Sequence, residues 1–141
     1  MADVHDKKTR SYNMSHISSK NTKPEIIIRK FLFSQGFRYR LHDKKLPGKP
    51  DIVLPRYETV IFVNGCFWHG HKNCKFFVLP KTRSEWWENK IKSNQLRDTN
   101  NKRKIKNIGW NVIVIFECRL KKNNMYNTLT NLSNKIKNNA I

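Results

Sequence analysis

Six side chains capable of metal, acid–base or stacking chemistry fall within one nine-residue stretch: Cys66, Phe67, Trp68, His69, His71 and Cys74. Cys66, His71 and Cys74 are spaced like the ligands of a zinc knuckle, and a closed structural zinc site needs a fourth ligand. His69 is then left over. Its ordinary pKa lies near neutrality, which suits a base that deprotonates an attacking water. Stacking on Trp68, or exchange with His71 in the metal shell, are the alternatives. Phe67 and Trp68 sit between metal ligands on a tight loop, where both cannot easily point inward. Beside a basic surface, such aromatics stack on unstacked bases or wedge into base steps.

The flanking elements must hold this loop at one edge. Val60 to Val63 is a β-favouring run that breaks at the turn dipeptide Asn64-Gly65. Ile52 to Leu54 reads as its hairpin partner, and a turn centred on Tyr57 sets Asp51 opposite Val63, where the loop emerges. An acid at a functional edge of a very basic chain repels phosphate unless a cation sits there. Mg²⁺ takes one or two carboxylates together with substrate oxygens and waters, so Asp51 and the backbone carbonyl of Val63 make a minimal magnesium site. A long helix is expected from Glu85 to Ile108, capped by Thr82 or Ser84 and closed by Gly109. Trp87, Ile91, Asn94, Asp98, Asn101, Ile105 and Ile108 share one face of it. Asn111 to Cys118 is a buried-type strand. A strand–helix–strand unit makes it parallel to Thr59–Val63, so Cys118 arrives beside Cys66 as the fourth zinc ligand. Asp98, on the inward helix face, is placed to orient His69.

Upstream, Thr22-Lys23-Pro24-Glu25 fits a capping box ahead of a helix with Ile27, Ile28, Phe31 and Leu32 on its apolar face and Gly36 at its end. Glu25 is explained by that cap, although a carboxylate there can also hold a metal-bound water. Phe37, Tyr39 and Leu41 alternate with Arg38, Arg40 and His42, a half-buried strand with a basic outer face. Met125, Leu129, Leu132 and Ile136 suit a C-terminal amphipathic helix. Residues 1–23 form a basic arm in which Met14 and Ile17 are isolated apolar residues that can reach into a groove. Residues 24–141 form a single α/β domain.

Lys and Arg number 29 against 10 Asp and Glu, a formal net charge of +19 in 141 residues. That balance calls for a polyanionic partner, most simply nucleic acid. No window approaches the roughly 18 apolar residues of a membrane span, and the N-terminus has no apolar leader. The three cysteines read as reduced ligands in a cytoplasmic, nucleoid-associated protein rather than as a disulfide frame.

The MADVHD and NM start, LPGKPDIV, VIFVNGCFWHGH, VLPKTRSEWW and GWNVIVIFEC together resemble the very-short-patch repair mismatch endonucleases of bacteria, over nearly the whole chain. The resemblance implies a restriction-endonuclease-like mixed sheet flanked by helices, with a structural zinc. It also implies a Mg²⁺-dependent nick 5′ to the thymine of a T·G mismatch left by deamination of 5-methylcytosine. Asp51 then matches the metal-binding aspartate and His69 the base. Cys66, His71, Cys74 and Cys118 match the zinc shell; Phe67, Trp68 and Trp87 match the wedge. Met14 matches an arm residue that enters DNA, with Ile17 beside it, and Glu25 and Asp98 match supporting positions. One departure stands out: Val60 to Val63 supplies neither the second acid nor the lysine usual in this nuclease fold. The expected partner is double-stranded DNA with a T·G mismatch, acted on by a monomer, with mismatch-repair proteins as further partners. A non-catalytic zinc-stabilised DNA-binding protein and a double-strand-cutting restriction-type enzyme are the competing readings.

Overall fold

The computed structural model describes residues 21–138. Helix α1 (Lys23–Ser34) is followed by strand β1 (Arg40–Leu41), β2 (Ile52–Leu54) and β3 (Thr59–Asn64). Helix α2 (Ser84–Asn107), strand β4 (Asn111–Phe116) and helix α3 (Met125–Asn138) complete the order. The sheet runs β1-β2-β3-β4, antiparallel across its first two pairs and parallel between β3 and β4. Side chains alternate across the pleat, so the sheet divides its apolar residues between two faces. Ile52, Leu54, Ile61, Ile113 and Ile115 pack with Ile28 and Leu32 of α1 and with Leu129, Leu132 and Ile136 of α3. Val53 and Val60 pack on the other face with Ile105 of α2. The result is a mixed sheet flanked by helices on both sides. No helix among the described residues is long and apolar enough to cross a membrane.

Helices α1 and α2 close alike. Phe37 N–H donates to Leu32 O and Gly36 N–H to Phe33 O; Trp110 N–H donates to Ile105 O and Gly109 N–H to Lys106 O. These paired bonds are Schellman motifs, as the two glycines foretell.

Several expectations need correction. The capping box does not form: Thr22 makes no side-chain cap bond, because the Glu25 side chain is buried and turned to His42 instead. The β1 strand covers only Arg40–Leu41, and Leu41 is exposed. The β2–β3 hairpin pairs Ile52 with Ile61, one residue away from the register that would oppose Asp51 to Val63. A short 3₁₀ turn over Pro55–Tyr57, with Glu58 at φ 46°, sets that offset. Helix α2 starts at Ser84 behind a left-handed Arg83, with no side-chain cap. Ile108 is 55% exposed, because the helix has ended and residue 108 leaves its apolar line. Strand β4 stops at Phe116, and Cys118 lies in a 3₁₀ turn over Glu117–Leu120. Met14 and Ile17, with most of the basic arm, lie outside the described residues.

Candidate active site

The loop after β3 is moored to α2 along three polar side chains. Asn94 Nδ2 donates to Trp68 O at 2.9 Å, and Gln95 Nε2 donates to Gly70 O at 3.0 Å. His69 Nδ1 meets Asp98 Oδ2 at 2.5 Å. These residues interrupt the apolar stripe of α2 one and two turns past the buried Ile91, so the polar gap in the helix is the mooring for the loop. Gly70 makes the approach possible. At φ +58°, a Cβ there would come within 2.4 Å of Gln95 Nε2 and 2.6 Å of Ile91 Cγ2.

His69 and Asp51 line one cavity of about 340 Å³, with His42, Val63, Asp98 and Asn101 among its walls. With Nδ1 committed to Asp98, Nε2 is the His69 nitrogen left to accept a proton. That is the arrangement of a general base whose tautomer is fixed by a carboxylate. Asp51 stands just before β2, and its Oδ2 accepts the Val63 N–H at 2.7 Å. So the structure brings Asp51 to Val63 despite the shifted register. Burial pushes the Asp51 carboxyl up to about 6, aided by the charge of Glu25, against the pull of the Val63 N–H, His42 and His69. A carboxylate this reluctant to ionise alone is suited to a site where a cation arrives with the substrate.

Glu25 sits at this site as well, which periodicity alone did not indicate. Its Oε1 meets His42 Nε2 at 2.5 Å, and Glu25, His42 and Asp51 each offer a ligand atom within 4.8 Å of the others. His42 is a residue of this site that the sequence reading did not single out. Its signal was the β1–β2 pairing: Leu41 pairs with Ile52, and His42 N–H donates to Asp51 O at 3.1 Å. Lys44, Lys49, Arg97 and Lys102 also reach the cavity, a local excess of positive charge suited to phosphates.

At the end of the β3–β4 pair, Asn64 is opposite Phe116, and two residues beyond each lie Cys66 and Cys118. The ligand atoms of Cys66, His71, Cys74 and Cys118 fall within 4.8 Å of one another. His71 Nδ1 lies 3.4 Å from Cys118 Sγ. Four ligands around zinc, with Zn–S about 2.3 Å and Zn–N about 2.0 Å, place neighbouring ligand atoms roughly 3.5–3.8 Å apart, so the set fits that ion. The His71 ring stacks on Phe116, centroids 3.9 Å apart and planes within 5°. Burial, and then the charge of Arg119, lower the His71 pKa, favouring the neutral ligand form. Burial pushes the Cys66 thiol up to about 12. It also raises Cys74, but there the Phe76 N–H and the Cys66 and Cys118 side chains outweigh it and leave the thiol below its ordinary value.

Phe67, Trp68 and Trp87 form one cluster. The Phe67–Trp68 and Phe67–Trp87 centroids are each 5.4 Å apart, and Trp68 and Trp87 are separated by 5.6 Å. Trp86 joins it at 4.8 Å from Trp87. Trp68 is 46% and Trp86 47% exposed, so the cluster is a surface platform rather than core.

Comparison with known proteins adds to this geometry. A family model described as DNA mismatch endonuclease Vsr matches residues 2–75. The type II nicking enzyme V.NmeAIP of Neisseria meningitidis serogroup A is 50% identical over 121 residues, covering 86% of each chain. The type II nicking enzyme V.XorIIP of Xanthomonas oryzae pv. oryzae is 46% identical, over 85% of this chain and 88% of its own. The DNA mismatch endonuclease Vsr of Escherichia coli K12 is 45% identical, over 86% of this chain and 77% of its own.

Proposed function

Because the chain belongs to the DNA mismatch endonuclease Vsr family, we propose that it nicks one strand of duplex DNA 5′ to the thymine of a T·G mismatch, in very-short-patch repair of deaminated 5-methylcytosine. The observation that carries this is the His69–Asp98 pair facing Asp51 across one cavity with a basic rim. His69 Nε2 takes the proton of the attacking water, and Asp98 stabilises the imidazolium that forms. Asp51 and the Val63 backbone carbonyl would hold Mg²⁺, with Glu25 in support. The orphaned, buried Glu25 Oε2 and the elevated Asp51 carboxyl both suit a cation. When bound, that ion neutralises charge on the scissile phosphate and on the leaving oxygen.

Phe67, Trp68 and Trp87 wedge beside the mismatched pair, unstacking it at a cost of a few kcal/mol that a mismatch reduces. The basic arm over residues 1–23, with Met14 and Ile17, reaches into a groove of the DNA. Zinc on Cys66, His71, Cys74 and Cys118 is structural, since four protein ligands leave no open position. It fixes the loop that carries His69 and the wedge. The sheet, with an aspartate at the head of its second strand, is of the restriction-endonuclease-like kind. One site per chain suits a monomer that cuts one strand, working in the bacterial cytoplasm alongside mismatch-repair proteins.

The test is cleavage of a T·G duplex and its T·A counterpart with Mg²⁺ and with chelator. Cleavage of the T·G duplex alone, and only with Mg²⁺, is expected. Binding without cleavage identifies a zinc-stabilised DNA-binding protein instead. Equal cleavage of both strands identifies a restriction-type enzyme.

A further inference from the structure

Glu25 is 1% exposed. Its Oε1 is engaged by His42, but Oε2 has no hydrogen-bond partner, and Arg29 Nη1 stays 3.8 Å away. A buried acceptor left unpaired keeps its desolvation penalty in full, and the penalty is larger when it is charged. Such a group in a native structure calls for an explanation, and a water or ion that pairs with it is one. His42 is brought in from β1 by its backbone bond to Asp51, and its side chain is only 16% exposed. Were His42 merely the charge partner of Glu25, Oε2 would keep only the Arg29 guanidinium, 3.8 Å away. A cation among the three side chains would meet one ligand atom from each, and these atoms already lie within 4.8 Å of one another.

We infer that His42 is a nitrogen ligand of this cation site, with Asp51 and Glu25, and that the site therefore prefers Mn²⁺ to Mg²⁺. Mg²⁺ selects oxygen and keeps its waters. First-row divalent ions accept imidazole, and Mn²⁺ is the one among them best suited to a set that also holds two carboxylates. The inference rests on the cation site proposed above and concerns its ligand set and ion preference.

The experiment uses the full chain, loaded with zinc at its cysteine site, and adds Mn²⁺ or Mg²⁺ alone. Pulsed EPR of bound Mn²⁺ should show hyperfine coupling to a directly coordinated nitrogen, and the coupling should change on labelling histidine with heavy nitrogen. Calorimetry should show tighter Mn²⁺ than Mg²⁺ binding. His42→Gln, which keeps a donor toward Glu25, should abolish the coupling and weaken Mn²⁺ by about tenfold or more, while Mg²⁺ affinity stays where it was. Unchanged zinc content and melting temperature show that this variant is folded; if it is not, the labelled wild-type and His69→Ala spectra decide together. Bound Mn²⁺ without nitrogen coupling overturns the inference and leaves the proposed nuclease site intact. So does a Mn²⁺/Mg²⁺ preference that survives His42→Gln. Loss of the coupling in His69→Ala also overturns it, because the nitrogen would then belong to His69. Cation binding that survives Asp51→Asn contradicts the cation site itself, and the ligand role of His42 with it.

Discussion

His69 lines the cavity with one nitrogen held by Asp98 at 2.5 Å, so its removal should separate chemistry from binding. His69→Ala is expected to keep zinc, fold and mismatch binding while losing about 10²–10⁴ in single-turnover nicking rate. If the variant instead loses zinc and unfolds, His71 is the free histidine and the two have been assigned the wrong way round. Asp51 gives a pH signature. Its carboxyl titrates near 6 in the folded protein and near 4 in an unfolded chain, so the folded state retains a proton that the unfolded state has already lost. Metal-free stability should therefore fall as pH rises from about 4 to about 6 and stay low above it. A bound cation replaces that proton, so the rise in melting temperature on adding Mg²⁺ should be larger at about pH 7 than at about pH 4.5. A cation increment that does not depend on pH in this window would contradict the assignment of Asp51 as a ligand.

Among the elements, the loop from Gly65 to Cys74 is tied at one side to α2 and at the other to the end of β4. Gly70→Ala tests the first tie. Its Cβ would meet Gln95 and Ile91 closer than real contacts allow, so a loss of about 1–3 kcal/mol in denaturant unfolding is expected, with slower nicking because His69 moves with the loop. Cys74→Ser tests the second: zinc stoichiometry should drop, and much of a folding contribution on the order of 10 kcal/mol should go with it. A stable, active, zinc-free variant would refute that. This part of the site was legible in the sequence. Two strong strands around a helix must run parallel, and their common end places Cys118 beside Cys66. Asp98 was legible too, as a carboxylate on an otherwise inward helix face. His42 and the true place of Glu25 were not. Their meeting depends on a strand cut to two residues, the loop over residues 43–50 and the entry of α1, and the alternation over residues 37–42 pointed His42 outward instead. The Thr22–Glu25 spacing pointed to a capping box, but burial beside His42 won the Glu25 side chain. The hairpin register missed by one residue because hydrophobic patterning does not register a 3₁₀ turn.

For the whole molecule, a formal net charge of +19 sets the terms of encounter with DNA. If about 5 phosphates are neutralised, log K should fall with log salt at a slope of roughly −4.5 on matched and mismatched duplexes alike. Phe67→Ala and Trp68→Ala should leave that slope unchanged and erode the preference for the mismatch, since the exposed aromatic platform acts on stacking rather than on phosphate. Equal loss on both duplexes, with the preference intact, would remove the wedge. Charge explains affinity and the platform explains mismatch preference, but the decisive claim is that this basic α/β molecule places a single hydrolytic centre against one chosen strand. The measurement that tests it most directly is nucleotide-resolution mapping of the product ends from a T·G duplex with each strand labelled separately, in Mg²⁺. One break is expected, in the thymine strand, on the 5′ side of the mismatched thymine, with the guanine strand whole. A break in the guanine strand, or breaks that do not follow the mismatch when it is moved along the duplex, would contradict it.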